Sequence, residues 1–312
     1  MLITLNWLSE FLELEKSDNH FAVQLAEELL LSGLETEVPE VKELDCANLV
    51  IAEIISVQDH PNADRLSLCI VNDGSNERQI VCGAKNVAPG QKIIVANPGF
   101  VFPDGQKIKK AKIRGVSSDG MICSEKELGI GEDQSGIMVL TKDAQLGISP
   151  KEVLGYGDPI LDISITPNRS DCLSVLGVAR ESSAILGKKL KIPKVRVEDE
   201  PINVNKTIEI VNVEDCPRYT ARTVFNTKIG ESPDWLKARL RSSGMRPINN
   251  VVDITNYVML TLGQPLHAFD MDNLKGDKIL IRRWKQSDGP FLALDGKKYD
   301  LSDEDMIMRR TI

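Results

Sequence analysis

Apolar positions recur at helical spacing in the first segment of the chain. Phe21, Leu25 and Leu29 fall on one face of a helix, because they are spaced four positions apart along the chain. Asp18 precedes this run and Gly33 follows it, at the positions that an N-terminal cap and a left-handed stop take. The pattern predicts a capped amphipathic helix behind a short, strand-like start.

From about residue 48 the pattern changes to short β-branched runs. These runs are LVIAEIISV, LSLCIV, RQIVCG, QKIIVA and GIMVL, and turn clusters such as NDGSN, PGQ and PDGQ separate them. Short strands at this spacing are typical of a small barrel or sandwich. We expect residues 48–140 to fold as a closed five-stranded barrel with its own core.

A helical pattern returns after the predicted barrel. The extended run DISIT leads into Pro167, and Ser170 or Asp171 can cap a helix that ends near Gly187. Residues 191–203 are charged and carry two prolines, which indicates a linker between domains.

The last third of the chain combines extended segments with two helices. Ser232 and Pro233 can begin the first helix, and Gly244 can end it. The second helix runs through DITNYVMLTL to Gly263, and the strand-like runs KILIRRW and FLALDGKKYDL follow it. Because helices and strands occur in separate blocks, the chain is predicted to be a multidomain α+β protein.

Composition narrows the class of protein without naming a substrate. The 312-residue chain has 42% hydrophobic and 27% charged residues, which is ordinary for a globular protein of two or three domains. Its six cysteines form no C-x-x-C pair and its three histidines lie far apart, which argues against a zinc site or a disulfide scaffold. No signal-peptide pattern and no apolar run of membrane length occurs, so we expect a cytoplasmic protein with no metal site and no membrane partner.

The net charge of −8 by itself disfavours a nucleic-acid partner, because phosphate contacts need Lys and Arg. The distribution of charge changes that picture. Five basic residues crowd into one short stretch: Lys107, Lys109, Lys110, Lys112 and Arg114. Such a stretch is either a solvated strand edge, which Lys protects from aggregation, or a surface that binds phosphate, and the residues alone leave both open.

The predicted barrel contains three sequence motifs, or words: HPNADRLSLCIVN at 60–72, VCGAKNV at 81–87 and IRGVSSDGMICSEKELGIG at 113–131. Each word, taken by itself, can be explained as a turn or a bulge. Together and in this order they resemble the OB-type tRNA-binding domain of several tRNA synthetases. The resemblance implies that residues 40–151 form an OB-fold β-barrel whose five basic residues bind tRNA.

A fourth word, DISITPNRSDCLSVLGVAR, is similar to the segment that follows this domain in the β subunits of bacterial phenylalanyl-tRNA synthetase. In that family, residues before and after the barrel join into one small α/β domain. The resemblance implies that 1–39 and 152–190 do so here, with the barrel inserted between them. We expect structural roles, as helix caps and local ion pairs, for four polar residues of this word: Thr166, Asn168, Arg169 and Asp171.

The segment MRPINNVVDITNYVMLTLGQPLHAFD at 245–270 resembles the B3/B4 editing domain of the same β subunit. An editing site removes tyrosine that was attached in error, because an apolar pocket rejects an added hydroxyl only weakly. The resemblance implies catalytic editing roles for His267 and Thr255, and substrate-binding roles for Arg246 and Asn250. Without the resemblance, each residue has an ordinary structural explanation. His267 would be a packed loop residue, and Arg246 would be a surface charge. Thr255 would be a helix residue whose hydroxyl bonds back to a backbone carbonyl.

The match has a limit at the end of the sequence. The family continues past an LDG turn, here Leu294–Asp295–Gly296, into a Gly-rich segment and a functional Glu, whereas this sequence ends in MIMRRTI. We therefore expect residues 204–312 to be an incomplete, partial α+β editing domain, and the chain to be a fragment or an early-ended product. By itself the chain is expected neither to aminoacylate tRNA nor to edit.

The resemblance also implies an enzyme and its partners. In this family the β subunit contributes to ATP-dependent synthesis of phenylalanyl-tRNA and to editing of Tyr-tRNA(Phe), and its partners are tRNA(Phe) and the α subunit in an α2β2 heterotetramer. ATP and Mg²⁺ belong to the complete enzyme, and we expect no cofactor on this chain. Two alternatives stay open: a tRNA-binding module without catalytic activity, and a free-standing trans-editing deacylase.

Overall fold

The computed structural model describes residues 1–14, 18–39, 46–130, 134–195, 207–274, 278–293 and 296–310. The strands are β1 (Leu2–Thr4), β2 (Glu35–Glu37), β3 (Leu49–Asp59), β4 (Ser67–Asn72), β5 (Glu77–Cys82), β6 (Lys92–Ala96), β7 (Ala111–Ile113), β8 (Val116–Ser118), β9 (Met121–Ile122), β10 (Val139–Leu140), β11 (Ile160–Ser164), β12 (Thr207–Ile210), β13 (Lys278–Arg283), β14 (Phe291–Leu292), β15 (Lys298–Tyr299) and β16 (Met306–Arg310). The helices are α1 (Leu5–Ser9), α2 (Asn19–Leu31), α3 (Lys151–Leu154), α4 (Val175–Leu186), α5 (Asp234–Ser242) and α6 (Asn250–Leu262). The protein is therefore mixed α and β. Among the described residues, no helix has the length and apolarity that a membrane span requires.

The chain divides into two compact units. The first comprises Met1–Pro193 and Gly230–Leu266, and the second comprises Lys194–Ile229 and His267–Ile312. The four domain segments expected from the sequence stay a prediction, and residues 196–203 of the expected linker lie outside the described residues.

One sheet of the first unit joins the N-terminal segment to residues that follow the barrel region in sequence. Strand β11 lies between β1 and β2 and runs antiparallel to both, with Leu161 opposite Ile3 and Ile163 opposite Thr36. Leu161 and Ile163 alternate with polar positions and are fully buried, in one core with apolar residues of α2 and α4. Burial of one face explains the alternation along β11.

Helix α4 begins later than the sequence suggested. A 3₁₀ segment at Pro167–Cys172 comes first, and the cap of α4 is Ser174, whose Oγ accepts a backbone N–H of the first turn at 3.0 Å. The expectation that Ser170 or Asp171 caps this helix is wrong, because both residues belong to the 3₁₀ segment. The expected end is confirmed, since Gly187 has a φ of 62° and takes the left-handed conformation.

A six-stranded, barrel-like sheet forms the middle of the first unit. Its order is β10-β6-β3-β4-β5, and β9 pairs with β6. Strand β5 reaches the β8–β9 segment through three bonds: Asp119 N–H donates to Gln79 O (2.9 Å), Val81 N–H donates to Ser118 Oγ (3.1 Å) and Gln79 Nε2 donates to Ser117 O (2.7 Å). No ladder pairs β5 with β9 in the described chain, because β9 is only two residues long. The sheet is therefore nearly closed, and the expected closed five-stranded barrel is wrong in strand number and in closure.

The first half of the long strand β3 is apolar on both faces, which explains the hydrophobic run with which the strand begins. Leu49 and Ile51 belong to one buried cluster, and Val50, Ala52 and Ile54 belong to another. A strand that is covered on both sides loses the apolar–polar alternation of a half-exposed strand. The first cluster also contains Leu154 of α3, so the barrel region is covered by residues that follow it in sequence.

Helices α5 and α6 pack against α1 around one arginine. The guanidinium of Arg239 lies 5.7 Å from the ring centre of Trp7, 5.2 Å from that of Trp235 and 5.8 Å from that of Tyr257. The rings of Trp7 and Tyr257 are stacked at 5.2 Å. Cation–π and stacking contacts of this kind stabilise partly desolvated sites. Helix α5 starts one residue later than expected, because Pro233 is its N-cap and not its first helical residue.

The second unit contains a three-stranded sheet, in which β13 pairs with β12 in parallel and with β16 in antiparallel orientation. Strands β14 and β15 form a separate hairpin. Two ion pairs hold the end of β13: Arg282 with Asp288 at 2.6 Å, and Arg283 with Asp215 at 2.6 Å. Residues 294 and 295 of the LDG turn lie outside the described residues.

Candidate functional site

The five basic residues that the sequence singled out all lie on one exposed stretch of the barrel region. Lys107 forms an isolated bridge with Val101, and Lys107 and Lys109 flank the buried Ile108. Lys112 lies in β7, and Arg114 lies in the turn that joins β7 to β8. The side chains of all five are exposed to solvent. One buried residue thus anchors a segment whose cations face outward.

A cleft of about 870 Å³ runs beside this segment. Its apolar wall includes Ile108, Met121 and Ile122. Its basic residues are Lys85, Lys107 and Lys109. Sequence reasoning missed Lys85, although the word VCGAKNV contains it, because its closeness to the basic stretch depends on the folding of the sheet.

Two carboxylates near the cleft already have partners. Asp119 pairs with Lys110 at 2.8 Å, so Lys110 carries a partly compensated charge. Glu127 accepts from the N–H of Ser124 at 2.7 Å and from its hydroxyl at 2.8 Å, in a capping arrangement. Lys107 and Lys109, which line the cleft, are therefore more available to an anion than Lys110.

Residues of the first and third sequence words meet at the β7–β8 turn. His60 is buried, its Nδ1 accepts the N–H of Asn62 at 3.1 Å, and its Nε2 lies 3.1 Å from the carbonyl oxygen of Ile113. The amide of Asn62 donates to the carbonyl oxygen of Arg114 at 3.0 Å. The turn that the first word predicts is present, and it contacts a hairpin about fifty residues further along the chain.

The second word also has a structural contact. The side chain of Asn86 donates to the carbonyl oxygen of Ile137 at 3.0 Å and accepts its N–H at 2.8 Å. A Cβ on the neighbouring Gly136 would lie 2.3 Å from Asn86 Oδ1, so a larger residue there would displace the Asn86 amide from these two bonds. This pairing joins one wall of the cleft to the chain just before β10.

Three of the four residues that the editing resemblance implied lie in the first unit. Arg246 is exposed and lines a second cleft, of about 560 Å³. Asn250 is half-buried, and its Oδ1 accepts the N–H of Gly230 at 3.2 Å. Thr255 is half-buried in α6, and its hydroxyl donates to the carbonyl oxygen of Val252 at 2.6 Å. The hydroxyl proton of Thr255 is thus committed to its own helix.

His267 belongs to the second unit, so the four residues are not placed within one compact unit. Its ring is exposed and stacks on Phe269, with ring centres 6.3 Å apart. Within the described part of the chain, no hydrogen bond to its ring nitrogens is recorded. No described residue of the second unit therefore fixes which nitrogen of His267 carries the proton.

Asp253 is a buried carboxylate that sequence reasoning missed. One oxygen accepts the hydroxyl of Ser232 at 2.5 Å, and the other accepts the N–H of Ile248 at 2.8 Å. Asp253 lines the same cleft as Arg246, and its bond to Ile248 holds the loop that carries that cation. The sequence gives only weak evidence for a buried role of this residue, because a single Asp in an apolar helix is also a common surface residue.

Asp171, Cys172 and Glu181 bring three potential metal-ligand atoms within 4.8 Å of one another. Arg169 already supplies the positive charge there, at 3.1 Å from Asp171 and 2.8 Å from Glu181. The hydrogen bond from Arg169 lowers the pKa of Asp171, whereas burial raises the pKa of Cys172 to about 11. Cys172 is a protonated thiol at neutral pH, so this group is an ion-pair cluster of the kind expected for this word.

Two protein-family models match separate segments of the chain. The tRNA binding domain family matches residues 49–149, and the B3/4 domain family matches residues 215–311. The phenylalanine–tRNA ligase β subunit of Geobacter sulfurreducens is 46% identical over 312 residues, which cover 99% of this chain and 38% of that protein. The chain belongs to the phenylalanine–tRNA ligase β-subunit family.

Other β subunits of this family match the chain to a similar extent. The protein of Syntrophus aciditrophicus is 44% identical over 96% of this chain, and that of Geobacillus kaustophilus is 44% identical over 99%. The chain spans 37–39% of the length of these three relatives. A solved MetRS-related protein from Pyrococcus horikoshii aligns with 32% of this chain and 86% of its own at 21% identity, with a TM-score of 0.25. That similarity is too low to support an argument about the fold.

The relatives are named as subunits of an aminoacyl-tRNA synthetase, an enzyme of the ligase class. The sequence-based assignment to this β-subunit family is therefore confirmed. The basic stretch lies within the segment matched to the tRNA-binding family, and the residues implied in editing lie within the segment matched to the B3/4 family.

Proposed function

We propose that this chain binds tRNA(Phe) through the basic face of its barrel-like sheet, as part of a phenylalanine–tRNA ligase β subunit. One observation carries the proposal: five exposed cations lie along one stretch beside a cleft, inside the segment that matches the tRNA-binding family. A net charge of −8 does not oppose this, because the cations are grouped on one stretch, whereas the charge of −8 is a sum over the whole chain. Of the two carboxylates next to them, Asp119 pairs with Lys110 and Glu127 accepts hydrogen bonds from Ser124.

Cations and cleft have complementary roles in this proposal. Lys107, Lys109, Lys112 and Arg114 bind backbone phosphates, since their ammonium and guanidinium groups face solvent. The apolar wall at Ile108 and Met121 accepts the face of a sugar or an unstacked base. Proteins that recognise single-stranded RNA commonly combine a basic groove with an apolar platform in this way.

Binding of a tRNA(Phe) transcript by the whole chain should be salt-dependent. Each phosphate contact contributes about −0.7 to −0.9 to the slope of log K against log salt, so four to five contacts give a slope of roughly −3 to −4.5. Fluorescence anisotropy over a salt series measures this slope. A slope shallower than about −1 would mean that these cations are only a solvated edge.

We further propose that the chain contributes to hydrolytic editing of Tyr-tRNA(Phe), with His267 and Thr255 in the hydrolytic site and Arg246 and Asn250 binding the tRNA end. The match of residues 215–311 to the B3/4 family supports this, because it includes all four residues. In this proposal a neutral imidazole orients the attacking water, the Thr255 oxygen accepts a hydrogen bond, and the Arg246 cation holds a phosphate. Hydrolysis then gains its rate from fixed geometry.

The chain by itself should hydrolyse Tyr-tRNA(Phe) very slowly. His267 is exposed without an orienting partner in the described chain, and a base that is not held in place loses most of its effect. We expect hydrolysis when these 312 residues replace the matching segment of the Geobacter sulfurreducens β subunit, and a loss of roughly 10- to 100-fold in that chimera with His267→Ala. Deacylation of labelled Tyr-tRNA(Phe) measures both, with Phe-tRNA(Phe) as the control substrate.

An unchanged rate in the His267→Ala chimera would contradict the role of this histidine. Full activity of the separate chain would instead favour a free-standing deacylase, and tRNA binding without hydrolysis even in the chimera would favour a pure binding module. The three hypotheses, an editing subunit, a free-standing deacylase and a pure binding module, therefore predict different results in one assay.

We also propose the finer architecture that the resemblance implied. The barrel at 40–151 is an OB-type fold inserted into a small α/β domain made of 1–39 and 152–190, and 204–312 belongs to a B3/B4 editing domain. The sheet order and the continuity of β1, β11 and β2 support this arrangement. The α subunit is the protein partner and the cytoplasm is the location. ATP and Mg²⁺ act in the complete enzyme, and we assign neither to a residue of this chain.

A further inference from the structure

The turn between β7 and β8 has an unusual backbone. It consists of two residues, Arg114 with a φ of 46° and Gly115 with a φ of 92°. Two positive φ values are the pattern of a type I′ hairpin turn, whose first position strongly favours Asn, Asp or Gly. An arginine there is strained, because a Cβ crowds the backbone in the left-handed region. Strain of this kind persists only where the surrounding structure holds it.

The strained residue carries an exposed cation. The guanidinium of Arg114 has no hydrogen-bond or ion-pair partner that is recorded within the described ranges. A glycine or asparagine would make the same turn with less strain. The arginine side chain therefore adds something other than stability at this position, and the free cation at the tip of a basic hairpin indicates a phosphate contact.

Two residues of a distant loop hold both carbonyl groups that flank this side chain. Since Nδ1 of His60 accepts the N–H of Asn62, the ring proton sits on Nε2, which donates to the Ile113 oxygen at 3.1 Å. The amide of Asn62 donates to the Arg114 oxygen at 3.0 Å. His60 itself is buried and bonds Leu66 through its backbone N–H at 3.0 Å, so the loop is anchored between β3 and β4.

We infer that His60 and Asn62 are positioning residues for nucleic-acid binding, which clamp the strained turn so that the guanidinium of Arg114 meets one tRNA phosphate. The inference rests on the proposed tRNA binding and adds to it two residues that lie outside the basic stretch. The hairpin strands are only three residues each, so without the clamp the turn samples other conformations and the cation loses its fixed place.

A double-mutant cycle on the whole chain tests this inference with a tRNA(Phe) transcript at low ionic strength. Arg114→Ala should weaken binding roughly tenfold and reduce the salt slope by about one unit. Asn62→Leu, an uncharged isostere at an exposed site, should weaken binding to a similar extent. In the Arg114→Ala background, Asn62→Leu should change the affinity less than twofold, because the group that it positions is gone.

A matched pair of variants separates the two bonds of His60. In His60→Gln the amide nitrogen reaches the position of Nε2 and can still donate to Ile113, so binding should stay within about twofold of the parent chain. In His60→Asn the oxygen replaces Nδ1 but the bond to the hairpin is lost, so binding should weaken as in Asn62→Leu. Arg114→Gly should relieve strain, so its thermal midpoint should equal or exceed that of the parent while its affinity falls.

Three results would overturn the inference: full additivity of Asn62→Leu with Arg114→Ala, parental affinity in both Asn62→Leu and His60→Asn, or parental affinity in Arg114→Gly. Failure of the proposed tRNA binding looks different, because the parent chain would then show no salt-dependent affinity at all. Thermal unfolding of each variant accompanies the binding curves. A variant that does not fold is replaced by the Asn62→Leu cycle, which concerns an exposed side chain.

Discussion

Replacing Lys109, Lys110 and Lys112 together with Glu should weaken tRNA(Phe) binding by about 100-fold or more at low salt. The change removes three cations and places three carboxylates against the phosphate backbone, on side chains that are exposed beside the cleft. The salt slope should become shallower by roughly 1.5 to 2.5 units, because two to three phosphate contacts are lost and each removes about 0.7 to 0.9. Anisotropy titration over a salt series measures both quantities.

The contribution of the three lysines should be unequal. Lys110 pairs with Asp119 at 2.8 Å, so Lys110→Ala by itself should weaken binding less than Lys109→Ala, whose side chain lines the cleft. As a matched control, Lys189, Lys191 and Lys194 are also exposed and lie outside the segment matched to the tRNA-binding family. Their replacement by Glu changes the net charge equally and should change the affinity only a few-fold. Equal losses in both triple variants would refute a local site.

Gly177→Ala should destabilise the first unit by about 3 kcal/mol or more, although alanine is the better helix former by about 1 kcal/mol. Gly177 lies in the first turn of α4 and is buried. A Cβ there would lie 1.9 Å from the carbonyl oxygen of Asp171 and 3.1 Å from the Cα of Cys172. Both are backbone atoms, so no side-chain rotation relieves the overlap, and either α4 or the 3₁₀ segment must move.

Chemical denaturation of the whole chain, followed by tryptophan fluorescence, measures this loss. Trp7 reports on the first unit, because it is buried in the same core as α4. Gly230→Ala is the control: that glycine has no positive φ, and its Cβ would meet nothing within 4 Å, so the change should stay within about 0.5 kcal/mol. If Gly177→Ala were as stable as the parent chain, the close approach of the two backbones would not exist.

Local chemistry made several elements predictable. Asp18 caps α2 and accepts the N–H of Phe21 at 2.8 Å, and Gly33 takes a φ of 89° just after that helix, both as the sequence indicated. Gly263 ends α6 with a φ of 78° for the same reason. Caps and left-handed stops depend on a few neighbouring residues, so one sequence contains all the information that they need.

The candidate site was predictable only in part. The grouping of the basic residues from Lys107 to Arg114 is visible in the sequence, because they lie close together along one segment. Three features were not predictable: the pairing of Lys110 with Asp119, the place of Lys85 in the cleft and the hydrogen bond from Ser232 to Asp253. Each depends on how separate segments of the chain pack against one another. The sequence also could not show that the hydroxyl of Thr255 bonds within its own helix, because a threonine there has two ways to direct it.

The sequence by itself determined the strand-rich and helical blocks, the capped helices, the basic stretch and, through its words, the family. Tertiary structure alone decided that the sheet stops short of closure, that β11 pairs between β1 and β2, and that His60 reaches the carbonyl of Ile113. The reason is physical: propensity, capping and charge clusters act over a few neighbouring residues. The pairing of β1 with β11 and the bond from His60 to Ile113 join residues 50 or more positions apart, and only packing of the whole unit selects among their alternatives.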